Sequence, residues 1–271
     1  MEKRERVPDK KRTGRSKKQK KSLKIWLELA AVLVIAATAV LLFVSNRNLS
    51  TEDLREGVSY IKTLEAKNVS EVENSIKEMK KAERKAAFES GEVEVWSQFN
   101  DAVIMGDSRA VGFYFYEFVD TSRVLAEGGA TIRDIPNYLD TLALLNPSSI
   151  FLCYGLNDIS IGYWNTVEEY IAELDQVLET LKTTVPNAVI YVNSTIPAVD
   201  PAFQTAEIWR KIPDWNVVIK QHCEEQGIAY VDINATVEAH MDLYDPDGIH
   251  MMREFYEFWA IDMITEVYEN E

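Results

Sequence analysis

Cysteine and histidine are scarce in this sequence. Its 271 residues include two cysteines, Cys153 and Cys223, and three histidines. The cysteines lie far apart, and their spacing neither forms a metal-binding pattern nor demands a disulfide. Each lies in an apolar or amphipathic segment, where a free cysteine behaves as a small hydrophobic residue. We therefore expect neither a bound metal nor a cofactor.

Basic residues are also scarce, except at the amino end. Residues 1–24 contain 12 Lys and Arg against three acidic residues, whereas residues 45–271 contain 17 Lys and Arg against 40 Asp and Glu. The larger part of the chain therefore carries a charge of about −23. Because phosphate binding needs a basic face, this charge argues against nucleic acid as a partner.

One long apolar run follows the basic tail. Residues 25–44 (IWLELAAVLVIAATAVLLFV) contain one charged residue, Glu28. A helix of this length rises about 30 Å, the thickness of a hydrocarbon core. The basic cluster before it and Arg47 after it predict a single-pass membrane protein with a cytoplasmic amino terminus. A cleaved signal peptide is the alternative, since Ala37-Thr38-Ala39 resembles a cleavage site, but the cut would fall inside the apolar run.

Residues 45–95 are charged and show helical periodicity. Apolar residues recur at steps of three and four, which places them on one helical stripe. They are Leu54, Val58, Ile61, Val69, Val72, Ile76 and Met79. We expect a helical stalk here, and a short coiled coil that dimerises the protein is an alternative.

From residue 96 onward, strand and helix patterns alternate. The predicted strands are Ala102–Met105, Arg123–Ala126, Ser149–Cys153, Ala188–Asn193 and Ile228–Val231. Helical patterns lie after Ser108 and over residues 132–145, 167–183, 215–226 and 253–268. This alternation predicts an α/β fold, a three-layer α/β/α domain over residues 96–271 with a five-stranded parallel sheet.

Four polar or glycine-rich blocks lie where such a sheet places its functional site, at the carboxyl ends of strands. They are GDS at residues 106–108, EGGAT at 127–131, YGLND at 154–158 and DPDGIH at 245–250. For GDS alone, an ordinary helix cap is an alternative explanation, because Asp and Ser both cap helices.

In this order, the four blocks resemble the SGNH, or GDSL-type, hydrolase family, which is named for its Ser, Gly, Asn and His. The resemblance covers roughly residues 100–271. It implies a flavodoxin-like fold and ester hydrolysis at a serine, with catalytic roles for the residues of these blocks.

Ester cleavage needs a nucleophile, a base, an orienting group and donors for the oxyanion. We expect Ser108 to be the nucleophile, His250 the base and Asp247, three residues before it, the group that orients the imidazole. The predicted oxyanion donors are the backbone N–H groups of Ser108 and Gly129 and the side chain of Asn157.

Several neighbouring residues are alternatives or departures. Gly128 is hard to separate from Gly129, and Asp245 competes with Asp247 although its spacing does not fit the family pattern. Glu127 stands near a position where the family often has Asn, which leaves the preferred substrate open. Other residues have structural expectations: a surface or packing role for His222, a helix cap for His240, and loop bracing for Asp107 and Asp158.

Aromatic residues cluster on the loops expected to face the site. They are Phe113, Tyr114, Tyr116, Tyr163, Trp164, Phe203, Trp209 and Trp215, and ordinary core packing explains about half of them. The segment from Asp200 to Trp215 is predicted to form a wall for the substrate.

The sequence therefore predicts a basic cytoplasmic tail (1–24), a transmembrane helix (25–44), a stalk (45–95) and an extracytoplasmic hydrolase domain (96–271). The expected reaction is hydrolysis of an O-acyl ester, acetyl in the first instance, on a cell-envelope carbohydrate. Lipid esters, acyl transfer to a sugar hydroxyl and a non-catalytic surface binding module are the alternatives.

Overall fold

The computed structural model describes residue 26 and residues 28–41, 51–66 and 69–270. Its contacts divide the chain into two units, Met1–Val72 and Glu73–Glu271. In the first unit, residues 28–41 are helical, and helix α1 covers Thr51–Ala66. None of the described helices combines the length and apolar character needed to cross a membrane. The membrane helix predicted over 25–44 lies partly outside the described residues, as does the whole basic tail, and both stay predictions.

The second unit is built on a five-stranded sheet. Its strands are β1 (Ala102–Gly106), β2 (Val124–Ala126), β3 (Ser149–Cys153), β4 (Val189–Asn193) and β5 (Ala229–Val231). All neighbours pair in parallel, in the order β2-β1-β3-β4-β5. This is the flavodoxin-like order, and the predicted α/β class with a five-stranded parallel sheet is confirmed.

The described part of the chain contains eight further helices. They are α2 (Val69–Glu89), α3 (Ser108–Phe115), α4 (Leu139–Leu145), α5 (Leu156–Ile161), α6 (Val167–Thr184), α7 (Ile212–Gln226), α8 (Asn234–Ala239) and α9 (Phe255–Asn270). The single helix predicted over 132–145 is instead a 3₁₀ segment, Ile132–Tyr138, followed by α4. Pro136 lies inside the 3₁₀ segment and lacks the N–H that a regular α-helix uses there.

Each face of the sheet carries its own apolar core, because successive strand residues point to opposite faces. Ile104 and Phe151 pack on one face with Trp259 of α9, whereas Val103 and Ile150 pack on the other. Burial on both faces explains why the strands read as continuous apolar runs. Cys153 and Cys223 are buried and free, and they belong to the two different cores.

The carboxyl-terminal half of α2 belongs to the second unit and packs within it. Phe88 is buried in one of the cores, Lys81 pairs with Glu266 at 3.1 Å, and Lys85 pairs with Asp262 at 2.6 Å. The compact unit that begins at residue 73 therefore includes part of the segment that the sequence assigned to the stalk. The predicted domain limits at 24, 44 and 95 stay predictions.

Candidate active site

Ser108 lies where β1 turns into α3, at the carboxyl edge of the sheet. It is the first residue of α3, and Asp107 before it caps the helix by accepting a hydrogen bond from Arg109 N–H at 3.0 Å. Within the described part of the chain, nothing accepts a hydrogen bond from the Ser108 N–H. The turn therefore presents a hydroxyl and a free backbone donor side by side.

His250 reaches Ser108 from a loop 142 residues further along the chain. Its Nε2 lies 2.9 Å from Ser108 Oγ, and its Nδ1 lies 2.6 Å from Asp247 Oδ2. A carboxylate can only accept, so Nδ1 carries the proton and Nε2 is left to accept the serine hydrogen. The structure brings the three residues that the sequence singled out into one hydrogen-bonded chain.

The loop that carries Asp247 and His250 is closed by its own backbone. Asp245 N–H donates to His250 O at 2.8 Å, and Gly248 N–H donates to Asp245 O at 3.0 Å. Gly248 has a φ of 73°, and a Cβ there would collide with the backbone of Val199. Asp245, the alternative to Asp247, thus supports this loop through its backbone.

The carboxyl of Asp247 is held in its charged form. Partial burial opposes ionisation, but hydrogen bonds from the side chain and backbone of His250 and from Ile249 N–H outweigh it. The pKa of Asp247 therefore lies below its ordinary value. The pair is still open to solvent, since the side chains of His250 and Asp247 are 39% and 44% exposed.

The predicted oxyanion donors lie on two neighbouring loops. Asn157 is the second residue of α5 and donates one amide hydrogen to Ala130 O at 3.0 Å, which fixes the amide plane and leaves its second N–H. Gly129 precedes Ala130 and is exposed, and among the described residues none accepts from its N–H. Gly128 is also exposed, and no described residue accepts a hydrogen bond from its N–H, so the choice of Gly129 over Gly128 stays a prediction.

Asp158 ties these two loops together. Its fully buried carboxyl accepts hydrogen bonds from Ile132 N–H at 2.9 Å and from Gly155 N–H at 2.8 Å. Burial raises the pKa of Asp158 to about 7, against the opposing effect of the two donors. The bracing role expected of Asp158 agrees with these contacts.

A buried ion pair that the sequence analysis missed flanks Ser108 on both sides. Arg109 Nε and Nη2 donate to the Asp107 carboxylate at 3.2 and 2.9 Å, and Nη1 donates to Ile196 O at 2.8 Å. Both side chains are at most 3% exposed. The sequence signal for this pair was an arginine directly before the apolar residues Ala110 and Val111. A charged side chain that is buried among apolar residues needs an oppositely charged partner.

The remaining histidines have other contacts. His222 Nε2 lies 2.8 Å from Asp175 Oδ1, and His240 follows α8 as its C-cap and stacks on Phe258 at 3.8 Å. Neither contact involves the residues around Ser108.

A parallel α/β/α domain with a serine, a histidine and an aspartate aligned at the carboxyl edge defines a class, the serine hydrolases. The profile of the GDSL-like lipase/acylhydrolase family matches residues 105–258. The chain belongs to this family and is a carboxylic ester hydrolase. No curated protein sequence matches it.

Two solved structures of this class share the fold, and a third superimposes less closely. A GDSL-like lipase from Bacteroides thetaiotaomicron superimposes with a TM-score of 0.52 at 16% identity, over 65% of this chain and 91% of its own. A lipase/acylhydrolase from Enterococcus faecalis gives a TM-score of 0.50 at 15% identity, over 62% and 95%. A catalytic mutant of an acetylxylan esterase from Geobacillus stearothermophilus gives 0.44 at 18%, over 61% and 93%.

Replacing Arg109 by Met tests the ion pair beside Ser108. The change leaves the Asp107 carboxylate buried without its partner, so we expect the free energy of unfolding to fall by about 3–5 kcal/mol. Denaturant titration of both proteins measures the difference. Lys182→Met removes the exposed pair with Glu179 and should cost at most about 1 kcal/mol. Equal small losses in both variants would contradict the role given to Arg109.

Proposed function

We propose that this enzyme is a serine esterase that removes an O-acyl group, acetyl in the first instance, from a cell-envelope carbohydrate. One observation carries the proposed mechanism: the hydrogen-bonded chain from Asp247 through His250 to Ser108, with distances of 2.6 and 2.9 Å. A serine hydroxyl is a weak nucleophile unless a base accepts its proton, and this arrangement supplies that base.

In the first half of the reaction, Ser108 Oγ attacks the ester carbonyl carbon while its proton moves to His250 Nε2. The carbonyl oxygen becomes an oxyanion that faces the N–H groups of Ser108 and Gly129 and the free N–H of Asn157. The C–O bond to the sugar then breaks. His250 returns the proton to the departing sugar oxygen, which leaves as a hydroxyl, and the acyl group stays on Ser108.

In the second half, water takes the place of the alcohol. His250 Nε2 accepts a proton from the water as its oxygen attacks the acyl carbonyl, and the proton then passes to Ser108 Oγ as the carboxylic acid is released. Asp247 stays ionised throughout and stabilises the charged imidazole. A sugar hydroxyl in place of this water would make the enzyme an acyltransferase through the same residues.

The exposure of the site favours a bulky substrate with a short acyl group. His250 and Asp247 keep 39% and 44% of their side-chain surface in contact with solvent. An ester on the outside of a polymer can approach such a site without threading into the protein. A long acyl chain gains most of its binding energy from burial, which an open site supplies poorly.

The predicted substrate wall packs against both loops of the site. Trp209 Nε1 donates to Leu156 O at 2.9 Å, beside Asn157. Val199, the residue directly before the segment, donates its N–H to Gly248 O at 2.9 Å, two residues before His250. The guanidinium carbon of Arg210 lies over the Phe203 ring, 3.8 Å from the centre of that ring. These contacts support the proposal that this segment borders the bound substrate.

We further propose that residues 25–44 anchor the protein in a membrane with its amino end in the cytoplasm and its catalytic unit outside. The apolar run and the basic residues before it support this orientation. The proposal includes dimerisation through α1, where Leu54, Val58 and Ile61 are between 51% and 54% exposed on one stripe.

Exchanging the carboxylate of Asp247 for an amide tests the relay. Asp247→Asn should lower kcat by about 10⁴-fold, because the imidazole loses the partner that fixes its tautomer. Ser108→Ala should remove turnover of p-nitrophenyl acetate altogether. Asp245→Asn is the matched control, since Asp245 contacts His250 through its backbone, and we expect its kcat within a factor of about two of the wild type. Comparable losses in the Asp245 and Asp247 variants would overturn the assignment.

The acyl specificity can be measured with p-nitrophenyl esters of increasing chain length. We expect kcat/KM to be highest for acetate and to fall with each longer chain, since the open site offers little burial. Acetate release from purified, O-acetylated envelope polysaccharide then tests the leaving group. A preference for long chains would favour the lipid esterase, and recovery of acetyl on an added sugar instead of free acetate would favour the transferase.

Deleting residues 1–44 tests the anchor and the dimer together. The full chain should sediment with membranes, and the shortened chain should stay in solution. In analytical ultracentrifugation the shortened chain should have twice its monomer mass, and Val58→Asp should halve it by placing a charge in the apolar stripe. A soluble full chain refutes the anchor, and a monomeric shortened chain refutes the dimer.

A further inference from the structure

A rigid cluster of charged and aromatic side chains lies beside the oxyanion loops. Arg133 donates through Nε and Nη2 to both carboxylate oxygens of Glu173, at 2.6 and 2.7 Å. Trp164 Nε1 donates to Glu173 as well, at 2.8 Å. A bidentate pair of this kind fixes the plane of the guanidinium. The hydrogen bond from Arg133 also holds the pKa of Glu173 below its ordinary value.

Tyr163 is the exposed member of this cluster. The Arg133 guanidinium lies 4.5 Å from the centre of the Tyr163 ring and 5.0 Å from that of Trp164. The two rings meet edge to face at 5.6 Å. Trp164 is buried at 6% exposure, but Tyr163 keeps 48% of its surface in solvent. An aromatic ring is thus held in place from one side and left accessible.

The cluster is continuous with the catalytic site through the chain itself. Arg133 follows Ile132, whose N–H bonds Asp158 next to Asn157. Tyr163 lies two residues beyond the end of α5, the helix that contains Asn157. The six residues of this helix span about 9 Å along its axis. Both residues therefore extend from the two loops that carry the oxyanion donors, at the same edge of the sheet.

The chemistry of this surface matches a sugar ring better than a hydrocarbon chain. A pyranose has an apolar face of C–H groups that can lie on an aromatic ring, and hydroxyls at its rim that can accept from a guanidinium. A hydrocarbon chain laid there would strip water from Arg133 without replacing its hydrogen bonds. Arg133 uses Nε and Nη2 for Glu173, and no described residue bonds its Nη1.

We propose that Tyr163 and Arg133 form a subsite that binds a pyranose unit of the substrate next to the acylated one. This inference rests on the proposed function, in which the leaving group is a carbohydrate. Tyr163 is then a specificity-determining residue that acts on polymeric esters, and small esters that reach only Ser108 do not use it.

The test compares two substrates in Tyr163 variants of the full chain. One is p-nitrophenyl acetate, and the other is an O-acetylated hexasaccharide assayed by acetate release. We expect Tyr163→Ala to raise KM for the hexasaccharide about 10-fold with kcat within twofold, and to leave p-nitrophenyl acetate unchanged. Tyr163→Phe keeps the ring and should restore the wild-type KM. Phe115→Ala removes an aromatic that is 69% exposed at the far end of α3 and should change neither substrate.

The outcomes separate the subsite from the proposed function. Equal losses of activity on both substrates in Tyr163→Ala mean a structural role for Tyr163 and overturn the inference. If the wild type hydrolyses the hexasaccharide and Tyr163→Ala has the same KM for it, the inference is overturned as well. If the wild type hydrolyses p-nitrophenyl acetate through Ser108 but not the hexasaccharide, the carbohydrate part of the proposed function is wrong, and the subsite is rejected with it.

Discussion

The hydrogen bond between Ser108 Oγ and His250 Nε2 joins two points 142 residues apart, and the proposed mechanism depends on it. The parallel sheet makes the contact possible, because the carboxyl ends of all five strands meet at one edge. The serine arrives directly on β1. The histidine arrives on a loop closed by its own backbone bonds and held against Val199 after β4.

Two buried carboxylates, those of Asp107 and Asp158, hold the loops at this edge of the sheet in position. Asp107 is neutralised by Arg109, which also donates to the carbonyl of Ile196, so the turn that carries Ser108 is fixed to the segment after β4. Asp158 binds the two loops that carry the proposed oxyanion donors. Such contacts hold hydrogen-bond donors in position before negative charge develops on the substrate. This preorganisation is usually the largest contribution to the stabilisation of a transition state. The exposed side chains of the proposed catalytic residues His250 and Asp247 thus lie on a buried, hydrogen-bonded support.

The sequence predicted the fold well because the physical signals were local. Apolar runs marked all five strands, and the regular spacing of helices between them required parallel pairing. The candidate site was visible as polar blocks at strand ends. The Arg109 pair escaped notice because residues two apart in a turn follow no periodic pattern, and the Arg133–Glu173 pair because its partners lie 40 residues apart. The 3₁₀ segment before α4 was missed because its apolar spacing resembles that of an α-helix.

Covalent labelling of the nucleophile tests the central contact most directly. A fluorophosphonate reacts with a serine whose proton a neighbouring base can accept, and peptide mass spectrometry locates the adduct. The wild type should be labelled at Ser108 alone, and His250→Ala should lose the label while it keeps the thermal stability of the wild type. An adduct on another residue, or full labelling of Ser108 without His250, would contradict the arrangement described here.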